Sequence, residues 1–255
     1  MEKTLFDLSG LRALITGSSQ GIGYALARGL AEAGAEIILN GRNAEKLSIA
    51  AQKLSAEGHT VHQSSFDVTD HASVKQHIDQ IEETIGAIDI LISNAGIQKR
   101  SPLEDFSASD WTELMKTNLD GVFNTGQAVA NHMIKRKRGK IINICSVQSS
   151  LARPTIAPYT ASKGAVAMLT KGMCTDWAKY NIQINGIAPG YFETELNQAL
   201  VDDEAFTAWL ENRTPAKRWG KVEELIGSAI FLSSEASSFI NGHILYVDGG
   251  ITSSL

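Results

Sequence analysis

Leu11-Arg12-Ala13-Leu14-Ile15-Thr16 is an apolar run that leads directly into Gly17-Ser18-Ser19-Gln20-Gly21-Ile22-Gly23, and this loop opens the helical stretch Tyr24-Ala25-Leu26-Ala27-Arg28-Gly29-Leu30. A glycine triplet alone says little. Between a strand and a helix of a βαβ unit it reads as a dinucleotide-binding turn. Gly17 lets the chain turn off the strand, Gly21 lets backbone approach a pyrophosphate, and Gly23 permits close packing of the helix. Ser18, Ser19, Gln20 and Ile22 complete the loop, and the helix N-terminus adds unpaired N–H groups and a positive dipole end. A purely structural glycine turn is the alternative at this stage.

The same alternation continues along the chain. Short aliphatic runs at 11–16, 36–40, 60–66, 88–92, 140–145, 182–188 and 243–247 are separated by helical patterns such as 43–57, where Ala44, Leu47, Ala51 and Leu54 share one face. Several runs are apolar almost continuously, as expected of strands covered on both faces of a parallel sheet. The expected fold is therefore α/β: one doubly wound Rossmann domain over 1–255, with a seven-stranded parallel sheet and a crevice at the strands' carboxyl ends. Residues 191–219 are too long for a simple crossover, and Phe206, Trp209 and Leu210 suggest helix within them. The expectation is a helical substrate lid, with a helix pair packed permanently on the sheet as the alternative.

Composition narrows the function. With 23 Lys+Arg against 28 Asp+Glu the net charge is −5, which disfavours a nucleic-acid partner. No run of 18 uncharged apolar residues is present, so no membrane span is expected. The acidic start Met1-Glu2-Lys3-Thr4-Leu5-Phe6-Asp7 does not read as a signal peptide, and two cysteines make no disulfide framework. A soluble cytoplasmic protein is expected. The six histidines form no ligand cluster, so no metal site is expected. Cys145 reads as a small core residue, and Lys135-Arg136-Lys137-Arg138 as a solvated helix end whose charge complements the dipole.

The spacing Gly17-x-x-x-Gly21-x-Gly23 resembles the short-chain dehydrogenase/reductase family. Further family marks follow in order: Asp67, Ser93-Asn94-Ala95-Gly96, Asn118, Ser146, Tyr159-x-x-x-Lys163 and Pro189-Gly190. The resemblance covers essentially the entire chain. It implies that Asp67 and Val68 meet the adenine, that Asn94, Ala95 and Gly96 lie beside the cofactor, and that Pro189, Gly190 and Thr194 border it too. An acidic residue ending the second strand would bind the 2′-hydroxyl of NAD, but Asn40-Gly41-Arg42-Asn43 offers a guanidinium and no carboxylate. Arg42 therefore points to NADP.

Tyr159 and Lys163 are four apart on an expected helix and so share a face. An ammonium beside a phenol lowers its pKa from about 10 toward the working range for proton transfer. Ser146 stands at the end of the fifth strand, where its hydroxyl can polarise a carbonyl. The resemblance makes Tyr159 the general acid or base and Ser146 the alkoxide stabiliser. It has Lys163 tune Tyr159 and hold the nicotinamide ribose, and Asn118 complete a proton relay through water.

Residues 143–149, 188–192, 204–210 and 213–220 are similar to a branch of the family that interconverts D-gluconate and 5-dehydro-D-gluconate. A sugar acid needs a cation and several polar groups. Arg100 and Arg153 are the candidate carboxylate ligands and Gln148 a candidate hydroxyl ligand, with a surface-loop role as the alternative for each. Two positions depart from the family pattern: Ser93 replaces an Asn, and Ser150 stands where close relatives often carry Glu. Competing functions are a 3-oxoacyl-thioester or polyol reductase, which in the first case needs a basic docking patch, and a nonenzymatic NADP(H) sensor. The long helical segments 108–135 and 158–180 carry surplus apolar positions, and by resemblance a homotetramer is expected.

Overall fold

Where the sequence is almost continuously apolar, a computed structural model places seven strands, all parallel: β1 (Arg12–Ile15), β2 (Glu36–Asn40), β3 (Val61–Ser64), β4 (Ile90–Ser93), β5 (Gly139–Ile144), β6 (Ile182–Pro189) and β7 (Ile244–Val247). The structure describes residues 4–254, so Met1, Glu2 and Lys3 of the N-terminal reading lie outside it. The strands lie in the order β3-β2-β1-β4-β5-β6-β7. Chain order reverses between β1 and β4, and there the connections leave on opposite faces of the sheet. That divergence opens a crevice at the carboxyl ends.

Among the described residues nine α-helices accompany the strands: α1 (Gly21–Glu32), α2 (Ala44–Ala56), α3 (His71–Thr84), α4 (Ala108–Met115), α5 (Gly121–Arg136), α6 (Ala157–Trp177), α7 (Gln198–Val201), α8 (Glu204–Arg213) and α9 (Ile226–Ser233). Successive strand residues point to opposite faces, and both faces are covered. Ala13, Ile15, Ile37, Leu39, Ile90 and Ile92 pack with Leu26, Leu30, Leu54 and Leu232 from α1, α2 and α9. Leu14, Ile38, Leu91 and Ile141 face the other way, onto Val74, Ile78, Val129 and Met173 from α3, α5 and α6. This is why the strands read as unbroken apolar runs rather than alternating ones.

The basic run 135–138 behaves differently from expectation. Arg136 clasps both carboxylate oxygens of Glu82, at 3.0 and 2.9 Å, and Arg138 pairs with Asp89 at 2.5 Å. Half of that run therefore fastens α5 and its exit to α3 and the start of β4. It is not simply a solvated helix end.

Residues 191–219, where a helical substrate lid is expected, contain the two helices α7 and α8. The segment closes on itself, because Phe192 bridges Gly220 and Gly220 N donates to Tyr191 O at 2.9 Å. Tyr191, Phe206, Trp209 and Trp219 make an aromatic cluster, with Tyr191 edge-on to both tryptophans at 6.1 and 6.0 Å. Buried Leu210 and Trp219 root it on Val147 and Ile251. It stands over one end of the crevice.

A candidate active-site cleft at the carboxyl ends of the strands

A cleft of about 450 Å³ runs across the strand ends. The glycine loop forms one wall, and two of its glycines have no substitute. Gly17 has φ +62°, and a Cβ there would lie 2.9 Å from Ala95 Cα. At Gly23 a Cβ would come within 2.5 Å of both Gly17 O and Asn94 Nδ2, so this glycine packs on its own loop and on the turn after β4. Gly21, at φ +59°, faces open space. The residue before α1, Gln20, provides no side-chain cap, which leaves the leading N–H groups available to an anion.

Asn94 stitches the two central strand ends together. Its Nδ2 donates to Thr16 O (2.9 Å) and Gly17 O (3.0 Å), while Thr16 Oγ1 accepts from the backbone N–H groups of Asn94 and Ala95. The loss of the neighbouring Asn to Ser93 leaves this stitch whole. Ser18 departs from its expected place. Its hydroxyl turns inward, donating to Ile15 O at 2.7 Å and accepting from Asn40 N at 3.0 Å, and it does not border the cleft.

At the far end Asn40, Arg42, Asp67 and Val68 line the wall. Asn40 is spent on the sheet, donating to Ser64 O and Phe66 O. Arg42 is 61% exposed and reaches Asp67 at 3.6 Å. Partial burial pushes the Asp67 carboxyl up, but hydrogen bonds from Thr69 and the Arg42 charge outweigh it and hold it below the usual range.

Ser146, Tyr159 and Lys163 converge at the middle of the cleft, beyond Ala95 and Gly96, with Pro189, Gly190 and Thr194 opposite. The Ser146 hydroxyl accepts from Gln148 N at 3.2 Å and stands on the Tyr159 side of the cleft, where it favours the ionised phenol. Lys163 is buried and donates to Ile144 O at 2.7 Å. Burial pushes Tyr159 up, while Ser146, Arg100 and Arg153 pull it back, and Lys163 Nζ lies 5.8 Å from the Tyr159 ring centroid. Burial also brings Lys163 down to about 8, so its own positive charge is disfavoured.

Asn118 is fully buried and does not border the cleft. It sits in a π turn (Lys116–Asp120) between α4 and α5, a distortion frequent at functional sites. Its Oδ1 accepts from Ile97 N at 2.8 Å, and its Nδ2 donates to Ile97 O (3.0 Å) and Ser162 Oγ (3.3 Å). Ser162 in turn donates to Tyr159 O at 2.7 Å. With its amide committed at both ends, the side chain positions Ile97 and α6; a proton relay through that amide would have to break these bonds.

Arg100, Gln148 and Arg153 line the cleft together with Tyr191 and Leu200 of the 191–219 segment. Neither arginine has a carboxylate partner among the described residues. Each guanidinium faces the other's charge, and burial together with Arg153 lowers the pKa of Arg100. Ser150 pairs with the hydroxyl of Tyr246 and does not border the cleft. Cys145 is a buried core thiol, pushed up to about 11 by that burial.

Residues 12–205 match the family model described as short chain dehydrogenase. This chain is a short chain dehydrogenase. It is 64% identical over 251 residues to gluconate 5-dehydrogenase of Gluconobacter oxydans (strain 621H), covering 98% of each chain. It is 56% identical over 247 residues to 5-keto-D-gluconate 5-reductase of Escherichia coli (strain K12), covering 97% of each. Among solved structures, gluconate 5-dehydrogenase from Burkholderia cenocepacia J2315 in complex with NADP and tartrate matches with TM-score 0.97 at 64% identity, over 98% of each chain.

Several residues lining the cleft of this short chain dehydrogenase escaped the sequence reading, among them Gln98, Tyr191, Glu195 and Asn197. Tyr191 carried a readable signal, since it directly follow the Pro189-Gly190 mark. The others belong to no motif, and only the folded lid and the turn after β4 bring them to the site.

Proposed function

We propose that this dehydrogenase interconverts D-gluconate and 5-dehydro-D-gluconate with NADP(H). The observation that carries the reading is the pair of guanidinium groups, Arg100 and Arg153, without carboxylate partners beside Tyr159. Two like charges held together on a partly buried wall call for an anion, and a sugar-acid carboxylate supplies one. The relatives named above support the same substrate.

The cleft fits the cofactor. Gly17, Ser19, Gln20, Gly21, Ile22 and Gly23 at the start of α1 would hold its pyrophosphate, Arg42 its 2′-phosphate, and Asp67 with Val68 its adenine. Asn94, Ala95, Gly96, Lys163, Pro189, Gly190 and Thr194 would line its nicotinamide half. Bound NADPH supplies the hydride for carbonyl reduction. Ser146 donates a hydrogen bond to the carbonyl oxygen, and Tyr159 gives its phenolic proton to that oxygen as it becomes an alcohol. Lys163 and Asn118 fix the backbone and helix that carry Tyr159. In the oxidative direction Tyr159 takes the proton back.

The competing readings lose ground on particular residues. An acyl-carrier thioester reductase needs a free basic docking patch, and Arg136 and Arg138 are committed to Glu82 and Asp89. A nonenzymatic sensor has no use for Ser146, Tyr159 and Lys163 gathered on one cleft wall. The test is formation of D-gluconate from 5-dehydro-D-gluconate and NADPH by the purified chain.

A homotetramer and a cytoplasmic location belong to the same reading. Trp111, Phe123 and Met168 on α4, α5 and α6 are exposed apolar side chains that a partner would cover. Among the described residues no helix is long and apolar enough to cross a membrane, and Cys145 and Cys174 are free thiols. Light scattering at micromolar concentration is expected to give the mass of four chains; the mass of one would contradict it.

A further inference from the structure

Tyr191 is the first residue of the lid segment, and it has two distinct attachments. Its ring is gripped by the lid, tilted against Phe206 at 5.7 Å and edge-on to Trp209 and Trp219. Its hydroxyl instead belongs to the cleft, where it accepts from Gln148 Nε2 at 3.3 Å and lies beside the Arg153 guanidinium. Arg153 is held in place over the Phe206 ring at 5.4 Å. A donor and a cation on the oxygen side of a phenol turn its lone pairs toward them, so its own O–H is directed away from both. Gln148 is only 6% exposed, borders the cleft, and its Oε1 has no hydrogen-bond partner among the described residues. One donor and one acceptor therefore stand side by side without partners.

A sugar hydroxyl is itself one donor and one acceptor, which makes it the complement of this arrangement. We propose that Tyr191 and Gln148 together bind one hydroxyl of the substrate, the phenol donating to its oxygen and Gln148 Oε1 accepting its proton. The pair selects polyhydroxylated keto acids over keto acids without hydroxyls, because the latter leave both buried groups unsatisfied. The lid takes part in this selection, since it holds the Tyr191 ring. The inference rests on the sugar-acid reading above and adds to it the means by which hydroxyls are read.

The test compares 5-dehydro-D-gluconate with 5-oxohexanoate, which has the same carboxylate and C5 carbonyl and no hydroxyl. Tyr191→Phe keeps the ring contacts, and Gln148→Met keeps the side-chain length. Both are assayed with NADPH beside the wild type, at enzyme concentrations high enough to read slow turnover of 5-oxohexanoate. Each variant is expected to lower the ratio of kcat/KM for the two substrates on the order of 10-fold. The double variant is expected to lose less than the product of the single losses, because each partner needs the other. A ratio unchanged in both variants, with the wild type active on 5-dehydro-D-gluconate, overturns the pair and leaves the sugar-acid reading standing. A wild type that reduces 5-oxohexanoate and not 5-dehydro-D-gluconate overturns both.

Discussion

Tyr159→Phe is expected to cut reduction of 5-dehydro-D-gluconate by about 10²- to 10⁴-fold, the range set by loss of a positioned general acid. The substitution removes one hydroxyl and keeps the ring in its packing. The phenol lies with Ser146 at the middle of the cleft, at the position proposed for the reacting carbonyl. The fall belongs in kcat, with little change in KM, because the proton moves only as the carbonyl is reduced. NADPH affinity, followed by the cofactor's fluorescence, should stay near the wild-type value. Near-wild-type turnover would remove Tyr159 from the mechanism.

The second large effect is expected at Arg100. Replacing it with Ala should lower kcat/KM for 5-dehydro-D-gluconate about 10- to 100-fold, the worth of a charge-assisted hydrogen bond. The chain carries a net charge of −5, so its overall field does not attract a sugar acid. In the proposed reaction Arg100 and Arg153 supply the attraction locally. Their mutual repulsion is relieved when an anion lies between them, which adds to what the carboxylate gains from each. A neutral ketose without a carboxylate should lose far less. Equal losses on charged and neutral substrates would show that Arg100 supports the turn after β4, and would leave Arg153 as the carboxylate ligand.

The fold was legible because its causes are local. Ala13 and Ile15 face one helical layer and Leu14 the other, so a strand covered on both sides leaves an unbroken apolar run in the sequence. Gly17 was legible for a similar reason, as its φ of +62° and its contact with Ala95 are conditions that only glycine meets. Tyr159 and Lys163 share a helix face by spacing alone, and the cleft contains both.

What stayed hidden depends on partners far along the chain. Ser18 sits in the glycine loop but turns to Asn40, 22 residues away. Asn118 was expected in a relay, yet it is committed to Ile97 and Ser162, and the sequence contains no record of that commitment. The balance of charge around Tyr159 needed burial as well as spacing: burial lowers Lys163 to about 8, and Arg100 and Arg153 from two other loops add positive charge that the Tyr159–Lys163 spacing does not reveal. The basic run 135–138 failed as a simple surface reading because Glu82 and Asp89 lie on elements that only the fold brings near.

The central claim is the reaction itself, and its most direct test identifies the product. The purified chain is incubated with NADPH and 5-dehydro-D-gluconate, cofactor loss is followed by absorbance, and the sugar acid formed is identified by NMR. One D-gluconate is expected for each NADPH oxidised, with NADH supporting a much slower reaction because Arg42 has no 2′-phosphate to bind. Formation of the C5 epimer, or no cofactor consumption with this substrate while a 3-oxoacyl thioester is reduced, would contradict it.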